Sequence, residues 1–290
     1  MTFSARTRFA VAFLLPAFLL YTVFVFLPIV ASLYYSLTNW RLGRDIEFIW
    51  FENYVDLLND SQYWRVAVNS LTLVVAAVLV QVPTALVLAY VLHWIGVGFR
   101  FYRSILFLPV VIAAVAIGLA FTVFLNGDVG GFNALLDLLG LGAWKTNWLS
   151  DRRVVLWSVN IPNLWHHLGL FVIIFVAAMR GLPAELFEAA AMDGAGRVRI
   201  LFSVVIPLMR DVIVVCVVLA ATTAIRAFDH SWIMTQGGPG QASSYFATLI
   251  YKRGFLDGQL AYASTIAMTL FAYIMFLVAM LRLILIRETR

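Results

Sequence analysis

GLPAELFEAAAMDGAGRVRILFSVVIP, residues 181–207, is a charged stretch set between two long apolar runs, and the reading of the whole chain turns on it. Pro183 suits the first turn of a helix, where a missing N–H costs nothing. Glu185 and Glu188 follow in the early turns, where the helix dipole favours negative charge, and they share one face. Leu186, Phe187 and Ala190 supply an apolar side. Asp193-Gly194-Ala195-Gly196 then ends the helix, because glycine takes conformations closed to residues with a Cβ. A second apolar stripe follows at Ile200, Leu201, Val204 and Val205, and Pro207 closes it at the edge of the next hydrophobic run. By pattern alone the stretch is an amphipathic cytosolic loop of two short helices.

Working outward, the chain of 290 residues is 63% hydrophobic and only 12% charged, against about 25% charged in a typical soluble domain. An integral membrane protein is the direct reading, with the lipid bilayer as its solvent. The net charge of +5 does not point to nucleic acid, because the basic residues flank apolar runs and form no patch. Cys216 stands alone inside an apolar run, which excludes a disulfide framework and a cysteine metal site within the chain and marks it as a packing residue.

Six apolar runs are long enough to cross a hydrocarbon core, which takes about 20 residues. They cover approximately 9–37, 66–92, 105–125, 154–179, 208–234 and 260–286, an all-α polytopic architecture of six transmembrane helices in a single domain. The first is too long for a signal-peptide core and is expected to be retained; Pro16 and Pro28 are expected to kink it. Between spans, residues 38–65 carry Trp40, Trp50 and Trp64, suited to a membrane interface. Segments on the side of the N-terminus hold Arg6, Arg8, Arg100, Arg103, Arg180, Arg197, Arg199, Arg210, Arg282, Arg287 and Arg290. The other side holds Arg41, Arg44, Arg65, Lys145, Arg152, Arg153, Lys252 and Arg253, offset by more acids. That bias places both termini, and the loop 181–207, in the cytoplasm.

The loop carries a family resemblance. Glu188-Ala189-Ala190, three residues, Gly194, nine residues, then Val204-x-Ile206-Pro207 resembles the EAA loop of ABC importer permeases. That pattern is Glu-Ala-Ala, Gly and a terminal Ile-x-Leu-Pro at these spacings; Val204 and Ile206 depart from it conservatively. Leu182-Pro183, Asp193-Gly194-Ala195 and Thr235-x-Gly237-Gly238-Pro239 resemble the carbohydrate branch, of the maltose and glycerol-3-phosphate kind. Pro28 through Ser36 with Asn53-Tyr54 looks like the first of two paired sugar permeases. The resemblance covers most of the chain and is weakest before residue 50.

The resemblance implies a type I ABC importer permease fold in the bacterial cytoplasmic membrane. It also implies a second permease subunit in a heterodimer, a cytosolic ABC ATPase dimer, an extracytoplasmic solute-binding protein and a sugar-like solute. The EAA loop, with Glu188, Ala189, Ala190, Asp193, Gly194, Ala195, Val204, Ile206 and Pro207, would dock on the ATPase. The sequence itself holds no phosphate-cradling G-x-x-x-x-G-K-[ST] loop, since its two lysines, Lys145 and Lys252, follow Trp144 and Tyr251. No cofactor is expected in this chain; ATP and magnesium belong on the partner.

Polar residues inside the spans are the candidate substrate pathway. Span four carries Asn160, Asn163, His166 and His167 on one broad face. Span five carries Thr222, Thr223, Arg226, Asp229 and His230, and span six Tyr262, Thr265 and Thr269. The pathway set is Asn160, Asn163, His166, His167, Thr222, Arg226, Asp229 and Tyr262. Three readings stay open for these groups: hydrogen bonds between helices, with Arg226 and Asp229 pairing on one helix; a polar path for a hydroxylated solute, with Trp165, Phe228 or Trp232 stacking on sugar faces; and metal binding by His166-His167. The last is disfavoured because neighbours on a helix point about 100° apart. Two other functional classes compete with the permease. A stand-alone, proton-coupled secondary transporter would use His166, His167, Arg226 and Asp229 as a relay but leaves the patterned loop unexplained. An intramembrane enzyme lacks a nucleophile or metal partner for its histidine bases.

Overall fold

The computed structural model describes residues 5–43, 45–95 and 99–286. In chain order its α-helices are α1 (Ala5–Tyr21), α2 (Leu27–Ser36), α3 (Glu52–Asn59), α4 (Ser61–Ala76), α5 (Val82–Trp94), α6 (Phe99–Val111), α7 (Ala114–Phe124), α8 (Gly131–Leu138) and α9 (Val155–Met179). They continue with α10 (Ala184–Met192), α11 (Arg197–Ile200), α12 (Ile206–Leu208), α13 (Arg210–Ile225), α14 (Asp229–Thr235), α15 (Phe246–Tyr251) and α16 (Leu260–Ile286). Among the described residues, β structure is confined to one bridge between Thr38 and Phe48. Arg6, Arg8, Arg44, Arg100, Arg282, Arg287 and Arg290, on which part of the charge asymmetry rests, have side chains outside the described residues.

Proline decides how several helices join. Pro28, Pro83 and Pro207 each lie just beyond a π-helical turn, at Thr22–Phe26, Ala77–Gln81 and Leu201–Val205 respectively. A proline ring collides with the carbonyl four residues back and offers it no N–H. Widening the preceding turn by one residue absorbs that collision, so the axis continues. By length and apolarity, Val11–Ser36, Ser61–Trp94, Val155–Met179, Arg210–Thr235 and Leu260–Met280 can each cross a membrane. A sixth span exists if the bent pair Phe101–Val111 and Ala114–Phe124 counts as one.

Two of the expected spans contain breaks that the sequence does not show. The run 105–125 is not one straight span: its two helices meet at 95°. Pro109 lies inside α6, and Ala113 takes an extended ψ of 137° before α7 begins. The carbonyl of Ile112 at the break accepts a hydrogen bond from His166 Nε2 at 3.1 Å. The run 208–234 stands as one candidate span, Arg210–Thr235, but its helix is interrupted where α13 ends at Ile225 and α14 begins at Asp229. Arg226 and Asp229 therefore lie on either side of a break and not on one helix. Arg226 Nε donates at 2.9 Å to the carbonyl of Thr222, one of those a helix end leaves open.

The chain forms two compact units, residues 1–60 with 250–273 and residues 61–249 with 274–290. In the first, buried Asn53 donates to the carbonyls of Ser36 and Thr38 at 2.9 and 2.7 Å. The hydroxyls of Ser36 and Tyr54 share a hydrogen bond of 2.9 Å, so the Asn53-Tyr54 pair ties α3 to the end of α2. Helix Val11–Ser36 buries none of its apolar stretch within the chain, leaving a surface that only lipid or another apolar body can cover.

In the second unit α5 and α6 pack on α9, α4 on α13, and α7 on α14. Small residues bring these helices close: Ala85, Ala89, Gly169, Ala220 and Ala221 are all buried, as expected where helices associate by packing instead of by expulsion of water. The loop after α14 is held by polar contacts, with Asn69 donating to the carbonyls of Gln241 and Ser244 at 2.9 and 3.1 Å. Fully buried Tyr245 donates its hydroxyl to Asn160 Oδ1; burial raises the Tyr245 pKa and keeps that donor protonated.

Gly169 is the tightest of the helix contacts. A Cβ there would stand 2.1 Å from the Leu106 carbonyl oxygen and 3.1 Å from the Phe107 Cα, both backbone atoms. Gly169→Val is expected to force α6 from α9 and to cost about 1–3 kcal/mol of stability. Thermal unfolding of the purified variant in detergent checks this, and a wild-type midpoint would refute it.

Candidate functional site

The loop between α9 and α13 folds as its pattern requires. Pro183, with φ −59° and ψ 133°, caps α10 from outside the first turn, one position earlier than expected. At the other end, Gly194 N donates to Ala191 O and Ala195 N to Ala190 O, each at 3.0 Å. This is a Schellman ending, which closes open carbonyls and requires a left-handed residue. Gly194 supplies it with φ 78°. A Cβ built there meets nothing within 4 Å, so the turn is open on its outer side.

The two short helices bury one side and present the other. Phe187, Ile200, Leu201 and Val205 are buried, while Met192, Val198 and Phe202 are 88%, 71% and 65% exposed. Glu188, Ala189, Asp193, Gly194 and Pro207 are exposed, and Ala190, Ala195, Val204 and Ile206 half-buried. The buried side meets the last turns of α5, where Tyr90 donates to the Arg197 carbonyl at 2.7 Å. The Arg197 guanidinium carbon lies 5.1 Å from the Trp94 ring centre, and the His93 and Phe187 rings stack at 4.8 Å. Nothing in the local pattern of residues 181–207 points to these partners, which come from about a hundred positions earlier.

The polar residues of the spans separate into two groups. Asn163, His167, Arg226 and Asp229 come together, with Thr223, Phe228 and His230, around a cavity of about 280 Å³ between α9 and the α13–α14 break. Asn163 Nδ2 lies 3.2 Å from His230 Nδ1. An amide nitrogen only donates, so Nδ1 of the neutral ring accepts and the hydrogen sits on Nε2. That nitrogen is buried without a hydrogen-bond partner among the described residues. His167 Nδ1 donates to the Asn163 carbonyl at 2.9 Å, which leaves its Nε2 as an acceptor. The cavity thus offers donors, an acceptor, one carboxylate and one guanidinium beside the Phe228 ring, which stacks on Trp232 at 5.9 Å.

The remaining pathway candidates do other work. His166 serves the helix break at Ile112. Asn160, fully buried, accepts from Tyr245. Thr222 turns into its own helix, donating to Val218 O at 2.8 Å, and its neighbour Thr223 lines the cavity in its place. Tyr262 belongs to the other unit, where it donates to Asp60 at 2.9 Å. There it borders a cavity of about 480 Å³ with Trp40, Glu52, Asp56 and Arg253. Among the described residues no group of three or more His, Cys, Asp or Glu side chains could hold a metal ion. Of the residues the sequence reading left out of its pathway set, His230 was visible as a histidine in span five, whereas Thr223 could not be told from Thr222 without the helix phase.

Residues 81–287 match the family of binding-protein-dependent transport system inner membrane components. The chain is 34% identical over 258 residues to the probable ABC transporter permease protein YurN of Bacillus subtilis, covering 88% of each. It is 28% identical over 291 residues to the diacetylchitobiose uptake system permease protein NgcF of Streptomyces coelicolor, covering 96% of this chain and 82% of that one. A bacterial alginate ABC transporter, solved with an alginate pentasaccharide-bound periplasmic protein, has a chain that superposes with a TM-score of 0.87 at 21% identity, covering 98% and 96%. That likeness shows the fold, and the match to the family leaves the secondary-transporter reading without support. The chain belongs to the binding-protein-dependent inner membrane components and is a permease subunit of an ABC importer.

Proposed function

We propose that this permease passes a sugar-like solute across the bacterial cytoplasmic membrane, driven by ATP hydrolysed on separate subunits. The observation that carries the substrate class is the 280 Å³ cavity with its mixed donors, acceptor and stacked aromatic pair, a lining suited to hydroxyl groups and sugar faces. Relatives support it, since the curated ones include permeases for diacetylchitobiose and for multiple sugars. An extracytoplasmic solute-binding protein would deliver the solute, a second permease subunit would complete the bundle, and a pair of cytosolic ATPases would dock on residues 181–207. With both termini and this loop cytoplasmic, exposed Met192, Val198 and Phe202 form the apolar face offered to the ATPase. Closure of the ATPases would switch the bundle from inward- to outward-facing.

Reconstituted alone in liposomes, the chain is expected to show no counterflow of the sugar its binding protein retains. Robust uptake without an ATPase would overturn the proposal. With the complete complex, Arg226→Ala is expected to lower uptake at least tenfold, because Arg226 is exposed and borders the cavity. Thr222→Val should stay near wild type, since its hydroxyl is spent within its own helix. Equal effects of both substitutions in an uptake assay would remove the cavity from the path.

Gly194→Val tests the loop. A Cβ at this position meets nothing within 4 Å, but a residue with a Cβ at positive φ costs about 1–2 kcal/mol. Insertion depends on the apolar spans and should be normal, whereas ATPase retention on pull-down, or uptake per ATP, should fall. Wild-type values for both would refute the docking role.

A further inference from the structure

We propose that Tyr90, His93 and Trp94, in the last turns of α5, are positioning residues for the coupling loop, and that Ser61–Trp94 is the helix through which loop movement enters the bundle. The inference rests on the coupling reading above and adds the route. It comes from three contacts that converge on one helix end. From α10, Phe187 is buried and stacks on His93 at 4.8 Å, with Trp94 edge-on at 6.2 Å. From α11, the Arg197 carbonyl accepts from Tyr90 at 2.7 Å and its guanidinium lies over Trp94 at 5.1 Å. The two helices on either side of the Gly194 turn therefore grip the same end of α5.

This grip matters because the turn itself cannot set the angle. A left-handed glycine with open space beyond it is a hinge. What fixes α10 against α11 is a third body touching both. The cation over the indole adds directional attraction to the buried contacts, and the hydroxyl bond fixes register along the helix. Beyond the grip, a cavity of about 300 Å³ bordered by His93, Val176, Met179 and Arg180 separates the ends of α5 and α9. Space on that side lets the end of α5 shift without first displacing α9. Above the grip, the π-helical turn Ala77–Gln81 joins α4 to α5 without a break in the span, so displacement at Trp94 is carried along one continuous helix.

The test uses the complete transporter, with its ATPase and second permease, trapped with ATP, magnesium and vanadate, so that no transported solute is needed. Amide hydrogen exchange is compared with and without the trap for residues 184–207 and 84–95. In the wild type both segments are expected to change protection. In Tyr90→Phe, which removes one oxygen, and in Trp94→Leu, the loop should still respond while the response of residues 84–95 falls at least threefold. Trp94→Phe, which keeps an aromatic face, should restore it. Destabilisation alone would alter both segments even without the trap, so the two roles separate. A full response of residues 84–95 in both variants overturns the inference, as does a wild type in which the loop responds and α5 does not. A wild-type loop that ignores the trap would sink the coupling reading itself.

Discussion

A backbone carbonyl freed where a helix breaks in apolar surroundings must find another donor, and this one requirement arranges much of the structure. Unsatisfied, such a group costs several kcal/mol in a membrane. At the α6–α7 break the donor is His166, reaching the Ile112 carbonyl. At the α13–α14 break it is Arg226, turning back to Thr222. Outside the spans, at the exposed end of α10, the chain supplies its own donors through the amides of Gly194 and Ala195. At the end of α2 the donor is Asn53, which serves Ser36 and Thr38 together.

The same requirement sorts the polar side chains of the spans. Those that close a broken or terminal backbone are committed, and their chemistry is consumed. Those left over are His167, His230, whose Nε2 has no hydrogen-bond partner among the described residues, and Asp229 and Thr223, all at the wall of the cavity. Arg226 does both, since one nitrogen of its guanidinium meets Thr222 and the head stays exposed beside the cavity. A helix break in such a bundle is therefore more than a defect to be patched. Here the helix is interrupted between Arg226 and Asp229, and both border the same cavity.

What the sequence discloses follows from the range over which each signal acts. The apolar runs and the loop 181–207 are readable because hydropathy and turn chemistry are local, and Gly194 sits at a positive φ as the Asp-Gly-Ala pattern requires. The 95° bend is not readable. Pro16, Pro109 and Pro162 all lie inside helices, yet only the one followed by Ile112-Ala113 stands next to a sharp break. The distinction is made by partners 54 and more positions later, where His166 closes the freed carbonyl and Gly169 admits the α6 backbone. Likewise, Thr222 and Thr223 are adjacent and chemically identical. Only the phase of α13 sets Thr223 at the cavity wall and leaves Thr222, whose hydroxyl bonds its own helix, off it.

The residues that carry the pattern of the loop are not the ones that hold it in place. The Schellman ending gives α10 a defined stop, and its bonds involve only atoms between Ala189 and Ala195. Such a turn fixes where the chain changes direction but resists bending poorly, because no side chain packs behind Gly194. Stiffness has to come from burial, and the buried side chains of the loop, Phe187 and Ile200 among them, lie on the face turned away from Met192 and Val198. The exposed face is thus backed by residues that lie outside the Glu-Ala-Ala…Gly pattern. A loop built this way leaves Met192, Val198 and Phe202 exposed on its outer face while its rigidity is supplied from within the bundle, and the two demands do not compete for the same residues.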